Sequence, residues 1–472
     1  MERIKTDILV IGAGSGGLSV AAGAAQMGAR VVLLERGEMG GDCLNYGCVP
    51  SKALIAAAHH AQAMRDGAPY GVAAAEPQVD YAAAQDHVAQ AIARIAPNDS
   101  QERFEGLGVR VIREEGRFLS ETEVQAGDHV ITARRIVLAT GSSPFVPPVP
   151  GLDGVPYLTN ETLWQLRERP EHLLIVGGGP IGLEMAQAHR RLGSRVTVIE
   201  AETALGREDP EMAAIVLERL RAEGVEILEQ TAAREVRGSA GAIEVETADG
   251  AVHRGSHLLV AVGRRPNVDG LDLDKAGIET TKAGVTVDSA LRTTNRRVLA
   301  VGDVAGQGQF THLAGYHGGL IVRSTVLGLP VRTKPQIIPR ATYTRPELAH
   351  VGLSEAEARA EYGDRLEVIR EAYQHNDRAI AERQTAGLVK VMIHRGKPVG
   401  ATIAGAQAGE LIGTWALALS AGLKMSQIAG MVAPYPTLGE LNKRVAGTYF
   451  TPRLFQNDMV KTAVRLVQRW LP

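Results

Sequence analysis

The sequence predicts an α/β fold with two Rossmann-like dinucleotide-binding domains, followed by a C-terminal α+β domain of a kind that often serves oligomer contact. Three observations carry that expectation. A unit of strand, glycine turn, helix, strand and acid stands at the N-terminus. The same unit recurs from Leu173. From about Ile338 the pattern changes to alternating runs, which read as antiparallel strands.

The first unit opens with Asp7–Ile11, an apolar run that reads as a buried parallel strand. Gly12, Gly14 and Gly17 then form a GxGxxG turn ahead of a helical pattern reaching Met27. Gly12 permits the tight turn, Gly14 lets the backbone approach a pyrophosphate, and Gly17 lets helix and strand pack closely. Val31–Leu34 is the next strand and ends in Glu35, placed to accept hydrogen bonds from an adenosine ribose. In the second unit Leu173–Val176 precedes Gly177, Gly179 and Gly182, and Val196–Ile199 ends in Glu200. Each acid stands 23 positions after the first glycine of its unit. Two units of one spacing imply two dinucleotides. Glu200 suits a free 2′-hydroxyl and repels a 2′-phosphate, so NADH is favoured; Arg207 nearby keeps NADPH open.

Further strands end at small turns. Ile136–Ala139 leads to Thr140 and Gly141, and Leu258–Val262 leads to Gly263 and Arg264. Arg297–Val301 leads to Gly302 and Asp303. Ligands of open α/β sheets gather at the carboxyl ends of strands, so Asp303 is a candidate for a cofactor hydroxyl, or else caps the following helix. In the last third, Leu388–Ile393 and Gly400–Ile403 read as strands, with helices over Ser354–Tyr362 and Ala408–Gly422.

The stretch Gly40–Lys52 holds the only two cysteines, Cys43 and Cys48. A five-residue helical step rises about 7.5 Å, whereas a disulfide needs Cα atoms within roughly 7 Å. Pairing therefore requires a distorted helix, which Gly47 permits. Pro50 reads as a stop. Lys52 places a cation one turn past Cys48, where it favours a thiolate. A redox-active pair fits better than two buried core thiols or a structural bridge.

Composition sets outer bounds. The 472 residues suggest two to four domains. A net charge of −2 gives no reason to expect nucleic acid as a partner. The N-terminus lacks a signal-peptide apolar region, and no apolar run approaches the ~20 residues of a membrane span. The expectation is a cytoplasmic enzyme.

Gly40-Gly-Asp-Cys43-Leu-Asn-Tyr-Gly-Cys48-Val-Pro-Ser-Lys52 resembles the active-site signature of the class I pyridine nucleotide–disulfide oxidoreductases. That family includes dihydrolipoamide dehydrogenase, glutathione reductase and mercuric reductase. The resemblance extends over nearly the whole chain, through Gly12–Gly17, Ala139–Gly141, Gly177–Glu184, Gly263–Arg264, Gly302–Asp303 and Ala408–Ile412. It implies an FAD-bound homodimer that passes electrons from NAD(P)H through FAD to a disulfide and then to a small-molecule or metal-ion acceptor. By position, Cys43 matches the interchange thiol and Cys48 the thiol beside the flavin. Lys52 matches the flavin-side lysine, Glu184 its ion-pair partner, Glu35 the FAD ribose ligand and Asp303 the ribityl ligand. The implied organisation is an FAD-binding domain in two parts (1–150 and 271–337), an NAD(P)-binding domain (151–270), a dimerisation domain (338–455) and a tail (456–472).

The sequence departs from the family at Ala433-Pro-Tyr435-Pro-Thr-Leu-Gly-Glu440. Dihydrolipoamide dehydrogenase and glutathione reductase carry histidine where Tyr435 stands, paired with the glutamate matched by Glu440. An unperturbed phenol has a pKa of about 10, so Tyr435 is a poor general base at neutral pH. Mercuric reductase also has tyrosine here, but it adds a C-terminal cysteine pair that this chain lacks. His312 and His317 are the candidates to replace the missing histidine. The functional reading is therefore mercuric-reductase-like electron transfer to a disulfide, metal ion or oxidant. Dihydrolipoamide dehydrogenase and a slow redox-sensing or membrane-associated flavoprotein are the alternatives. Met459–Leu471 has helical spacing with apolar residues on one side and Lys461, Arg465 and Arg469 elsewhere, so it is expected to dock on the dimer or to lie on an anionic membrane. No resident metal is expected.

Overall fold

The computed structural model describes residues 1–471. Contacts group Met1–Glu202 with Val225–Thr333 in one compact unit, and Thr203–Gly224 with the chain from Lys334 onward in another.

The first unit contains two sheets that carry glycine turns. One has the spatial order Val109–Ile112, Val31–Leu34 (β2), Glu2–Ile11 (β1) and His129–Leu138, all parallel. Val298–Ala300 pairs parallel with His129–Leu138, and the antiparallel strands Glu123–Ala126 and Gly116–Phe118 extend the edge. The apolar run of β1 is explained by burial on both faces. Leu9 and Ile11 pack into one core with Leu34 and Leu138, while Ile8 and Val10 pack into another with Leu33 and Val137. The second sheet is parallel, in the order Glu226–Leu228, Arg195–Ile199, His172–Val176, His257–Val260 and Tyr157–Leu158.

The second unit holds a five-stranded antiparallel sheet. Leu388–His394 and Lys397–Gly405 are its central hairpin. Trp415, from the helix Ala408–Ala421, is fully buried in its core and donates to Asn442 Oδ1 at 2.8 Å. The helix expected from Ser354 starts at Glu355, with Ser354 and Glu357 forming a reciprocal capping box. Buried Lys390 is held by Asp209 at 2.7 Å and Glu211 at 2.6 Å, which ties the segment 203–224 to this sheet.

Around the thiols, helix α2 (Gly41–Asn45) stops, and helix α3 (Cys48–Arg65) begins after Gly47. Gly47 has φ −117° and ψ −103°, which breaks the helical path between the two cysteines. Pro50 does not stop a helix, contrary to expectation. It lies in the first turn of α3, where a missing N–H costs no helical hydrogen bond.

Candidate active site

Both glycine turns have the geometry that dinucleotide binding requires. Gly12 has φ +107° and Gly177 has φ +115°, conformations that favour glycine. A Cβ on Gly17 would lie 1.9 Å from Gly12 O, and one on Gly182 would lie 2.0 Å from Gly177 O. Between them, Gly14 and Gly179 face open space. These two residues precede the helices α1 (Ser15–Gln26) and Pro180–Arg191, and neither helix has a side-chain cap. Each turn is therefore a bare helix N-terminus beside an open backbone, a cradle for a pyrophosphate.

The acids are held alike. Glu35 accepts from Ala13 N and from Gly37 N, both at 2.7 Å. Glu200 accepts from Gly178 N at 2.6 Å and from Glu202 N at 2.8 Å. Backbone N–H groups thus fix both carboxylates at the strand ends.

The thiol segment sits on the first turn. Gly40 N donates to Ala13 O at 3.0 Å, and Gly40 bridges Gly14. A Cβ on Gly41 would lie 2.7 Å from Gly14 Cα, so the segment reaches the turn only as glycine. This contact delivers the first turn of α3, and with it Cys48, to the carboxyl edge of the sheet.

Cys43 and Cys48 are free thiols in hydrogen-bonding contact. The bond from Cys43 draws the Cys48 pKa down from 9.0 to about 6, helped by Thr311 and by the positive charge of Lys52 against the cost of burial. Cys48 Sγ lies 3.3 Å from Thr311 Oγ1. Cys43 moves the opposite way, because it donates to Cys48 and is partly buried. The pair thus divides into one thiolate and one thiol. Lys52 Nζ donates to Glu184 Oε2 at 2.8 Å, and that carboxylate is buried.

A polar chain runs beside the thiols. Asp42 accepts from Arg264 Nη2 at 3.0 Å and from Asn160 Nδ2 at 3.1 Å. Arg264 Nε donates to Ser142 Oγ at 2.8 Å, and Ser142 Oγ donates to Asp303 Oδ2 at 2.5 Å. Burial raises the Asp303 pKa, with Ser142 and Arg264 opposing. Asp303 lies inside the short helix Gly302–Ala305, and its carboxylate is engaged by Ser142 Oγ. Thr140 Oγ1 donates to Asn267 O at 2.7 Å, and Gly141 and Gly263 both face open space.

In the second unit Tyr435 is 70% exposed and its hydroxyl donates to Asp377 Oδ2 at 2.9 Å, not to Glu440. That bond raises the phenol pKa further. Glu440 opens the helix Glu440–Thr448 and accepts from Thr437 N at 3.5 Å. His317 has no exposed surface; its Nδ1 accepts from Gly302 N at 3.4 Å, and burial pushes its pKa down to about 4. His312 stacks on Phe310 with ring centroids 5.4 Å apart. Among the described residues no cluster of His, Cys, Asp or Glu could hold a metal ion, and no helix is long and apolar enough to cross a membrane.

Sequence reasoning passed over Asp42, Ser142, Asn160, Asn267 and Thr311. Asp42 was the one with a local signal, a carboxylate placed directly against Cys43. The others come from distant segments and are joined only by folding: Thr311 to Cys48, Asn160 to Asp42, Ser142 to Arg264 and Asp303, and Asn267 to Thr140.

Comparison with known proteins agrees with this geometry. A family model described as pyridine nucleotide-disulphide oxidoreductase matches residues 6–318. The dimerisation domain of the same family matches residues 338–446. A mercuric reductase from Streptomyces lividans is 36% identical over 458 residues, covering 94% of this chain and 96% of that protein. A dihydrolipoyl dehydrogenase from Bacillus subtilis is 32% identical over 450 residues, covering 92% of this chain and 96% of that protein. The Cu(II) complex of the HOCl-induced flavoprotein disulfide reductase RclA from Escherichia coli superposes with a TM-score of 0.84 at 27% identity, over 93% of this chain and 99% of that one. The chain belongs to the pyridine nucleotide-disulphide oxidoreductases, and within them to the class I flavin enzymes that act on sulfur groups or metal ions.

Proposed function

We propose that the protein oxidises NADH and delivers two electrons through the Cys43/Cys48 pair to a thiophilic metal ion or an electrophilic oxidant. The observation that carries this reading is the meeting of the two thiols across the break at Gly47, with Cys48 Sγ 3.3 Å from Thr311 Oγ1 and Lys52 tied to buried Glu184, surroundings that draw the Cys48 pKa down. FAD fits the first glycine turn, with Gly14 open to its pyrophosphate, Glu35 at its ribose and Asp303 toward its ribityl chain. When bound there, it supplies two-electron transfer between nicotinamide and the thiols. NADH fits the second turn, where Glu200 accepts from a free ribose hydroxyl and opposes a 2′-phosphate.

Lys52, Thr311 and the Cys43 thiol hold negative charge on Cys48 Sγ. Two electrons and one proton, the equivalent of one hydride from NADH, convert the Cys43–Cys48 disulfide to the Cys48 thiolate and the Cys43 thiol. On reoxidation the S–S bond re-forms, the electron pair passes to the acceptor and the single thiol proton is released. Glu184 anchors Lys52 so that its cation stays near this sulfur. The acceptor class rests on Tyr435. A phenol bonded to Asp377 with a raised pKa takes no proton from a dithiol at neutral pH, which favours acceptors that need no base. The reading includes a homodimer, in which Tyr435 of each chain serves the partner's thiols, and a cytoplasmic location where NADH is supplied.

Rapid-mixing reduction by NADH, followed by Hg²⁺, Cu²⁺, quinones, glutathione disulfide and lipoamide, tests the proposal. Turnover with a metal ion or quinone and little with lipoamide is expected. High dihydrolipoamide–NAD⁺ turnover would replace this reading with a dihydrolipoamide dehydrogenase.

A further inference from the structure

The helix Asp458–Trp470 has no buried residue. Successive residues step about 100° around a helix, and its apolar side chains, with Leu471, fill a continuous arc of about 160°. Met459, Val464, Leu466, Val467, Trp470 and Leu471 are all exposed on that arc, Met459 by 80% and Trp470 by 82%. The opposite arc carries Lys461, Arg465 and Arg469. From Thr451 to Leu471 there are four cations and one acid, although the whole chain has a net charge of −2.

The helix is well specified locally. Asn457 Oδ1 accepts from Met459 N at 3.0 Å and from Val460 N at 3.4 Å. Asp458 lies in the first turn and Arg469 in the last, both favourable to the helix dipole. A helix of about 13 residues is nevertheless marginal in water alone, so its apolar arc requires a covering surface. Pairing with the same helix of a second copy would be isologous and would cover the apolar arc, but it would leave Lys461, Arg465 and Arg469 on the outside with no acidic partner. An anionic surface meets both arcs, because apolar side chains enter the interface while the cations reach lipid phosphates.

We propose that the helix Asp458–Trp470 lies flat on an anionic phospholipid surface and holds the enzyme there as a peripheral protein. The contact is reversible, since one short apolar face and a few cations give a modest affinity. It places NADH oxidation beside a bilayer, within reach of lipid-dissolved acceptors.

The test uses the FAD-loaded full chain with vesicles of phosphatidylcholine alone or with phosphatidylglycerol, read by flotation and by Trp470 quenching with brominated lipid. Anionic vesicles should bind the enzyme at least tenfold more tightly than neutral ones, and high salt should release it. Replacing Lys461, Arg465 and Arg469 together by Glu should lower anionic partitioning by about 100-fold, at roughly fivefold or more per cation. Leu466→Glu should abolish binding while NADH turnover with a soluble acceptor is kept, because the side chain is on the surface. Equal binding to both vesicle types, or none by the full chain, overturns the proposal. So does a Leu466→Glu enzyme that loses dimer stability in sedimentation without lipid, which would assign the face to the partner subunit.

Discussion

The two glycine turns of the first unit are near copies, yet only one carries the redox thiols. Their first glycines differ by 8° in φ, at +107° and +115°. A Cβ added at their third glycines would meet the backbone oxygen of the first glycine at the same distance within 0.1 Å, at 1.9 and 2.0 Å. What differs is the chain after the acid. Beyond Glu35, Gly40 bridges Gly14 and brings Cys43 and Cys48 against the turn. Beyond Glu200, the chain leaves for the segment 203–224, which folds with the second unit. The same local motif is therefore set in two different surroundings, with the thiol segment against one turn and none against the other. Under the proposed function the first suits a resident cofactor and the second an exchanging one.

Substitution at matched glycines can break that comparison, and should give the largest effects. Gly17→Ala places a methyl against a backbone oxygen that cannot withdraw, at a cost of about 1–3 kcal/mol, and should yield colourless, less stable protein. Gly182→Ala meets the same obstacle in the other turn, yet should keep the flavin colour and lose reduction by NADH. Absorbance and anaerobic reduction read both. Colour lost from Gly182→Ala and kept by Gly17→Ala would reverse the assignment.

A smaller effect is expected from Glu200→Arg. It removes two backbone hydrogen bonds and the charge that opposes a 2′-phosphate. The ratio of kcat/KM for NADPH over NADH should rise by about tenfold or more, equivalent to roughly 1.4 kcal/mol. An unchanged ratio would remove Glu200 from the ribose. The smallest effect sharpens the thiol side. Thr311→Val keeps the shape but loses the hydroxyl 3.3 Å from Cys48 Sγ. The thiolate midpoint should rise by about one pH unit, the value of one hydrogen bond to a charged group. No movement would mean that Lys52 and Cys43 hold the charge without it.

The sequence made the parts with a fixed local spacing legible: both turns, both acids and the thiol pair; the Lys52–Glu184 pairing, 132 positions apart, was legible only through the family resemblance. Regular strands followed because apolar runs buried on two faces have few other solutions, as β1 shows. Pro50 was misread because a proline that ends one helix and a proline that starts another look alike without the break at Gly47. The chain Asp42–Arg264–Ser142–Asp303 was not legible, since its members lie up to 261 positions apart and belong to separate motifs that say nothing of their pairing. Tyr435 stands out in the sequence as a departure from the family pattern, but its bond to Asp377 depends on the turn of an exposed segment, which no periodicity records.

The central claim is that Cys48 carries the negative charge in the reduced enzyme. Titration of the two-electron-reduced protein from about pH 4 to pH 10, followed by thiolate absorbance and by the long-wavelength band beside the flavin, tests it most directly. The thiol pKa is lowered in the folded protein, so the signal should be absent in acid, rise through a midpoint near pH 6 and be fully developed at neutral pH. It should vanish in Cys48→Ser. A midpoint near the ordinary thiol value of 9.0, or a signal that survives Cys48→Ser, would contradict the account.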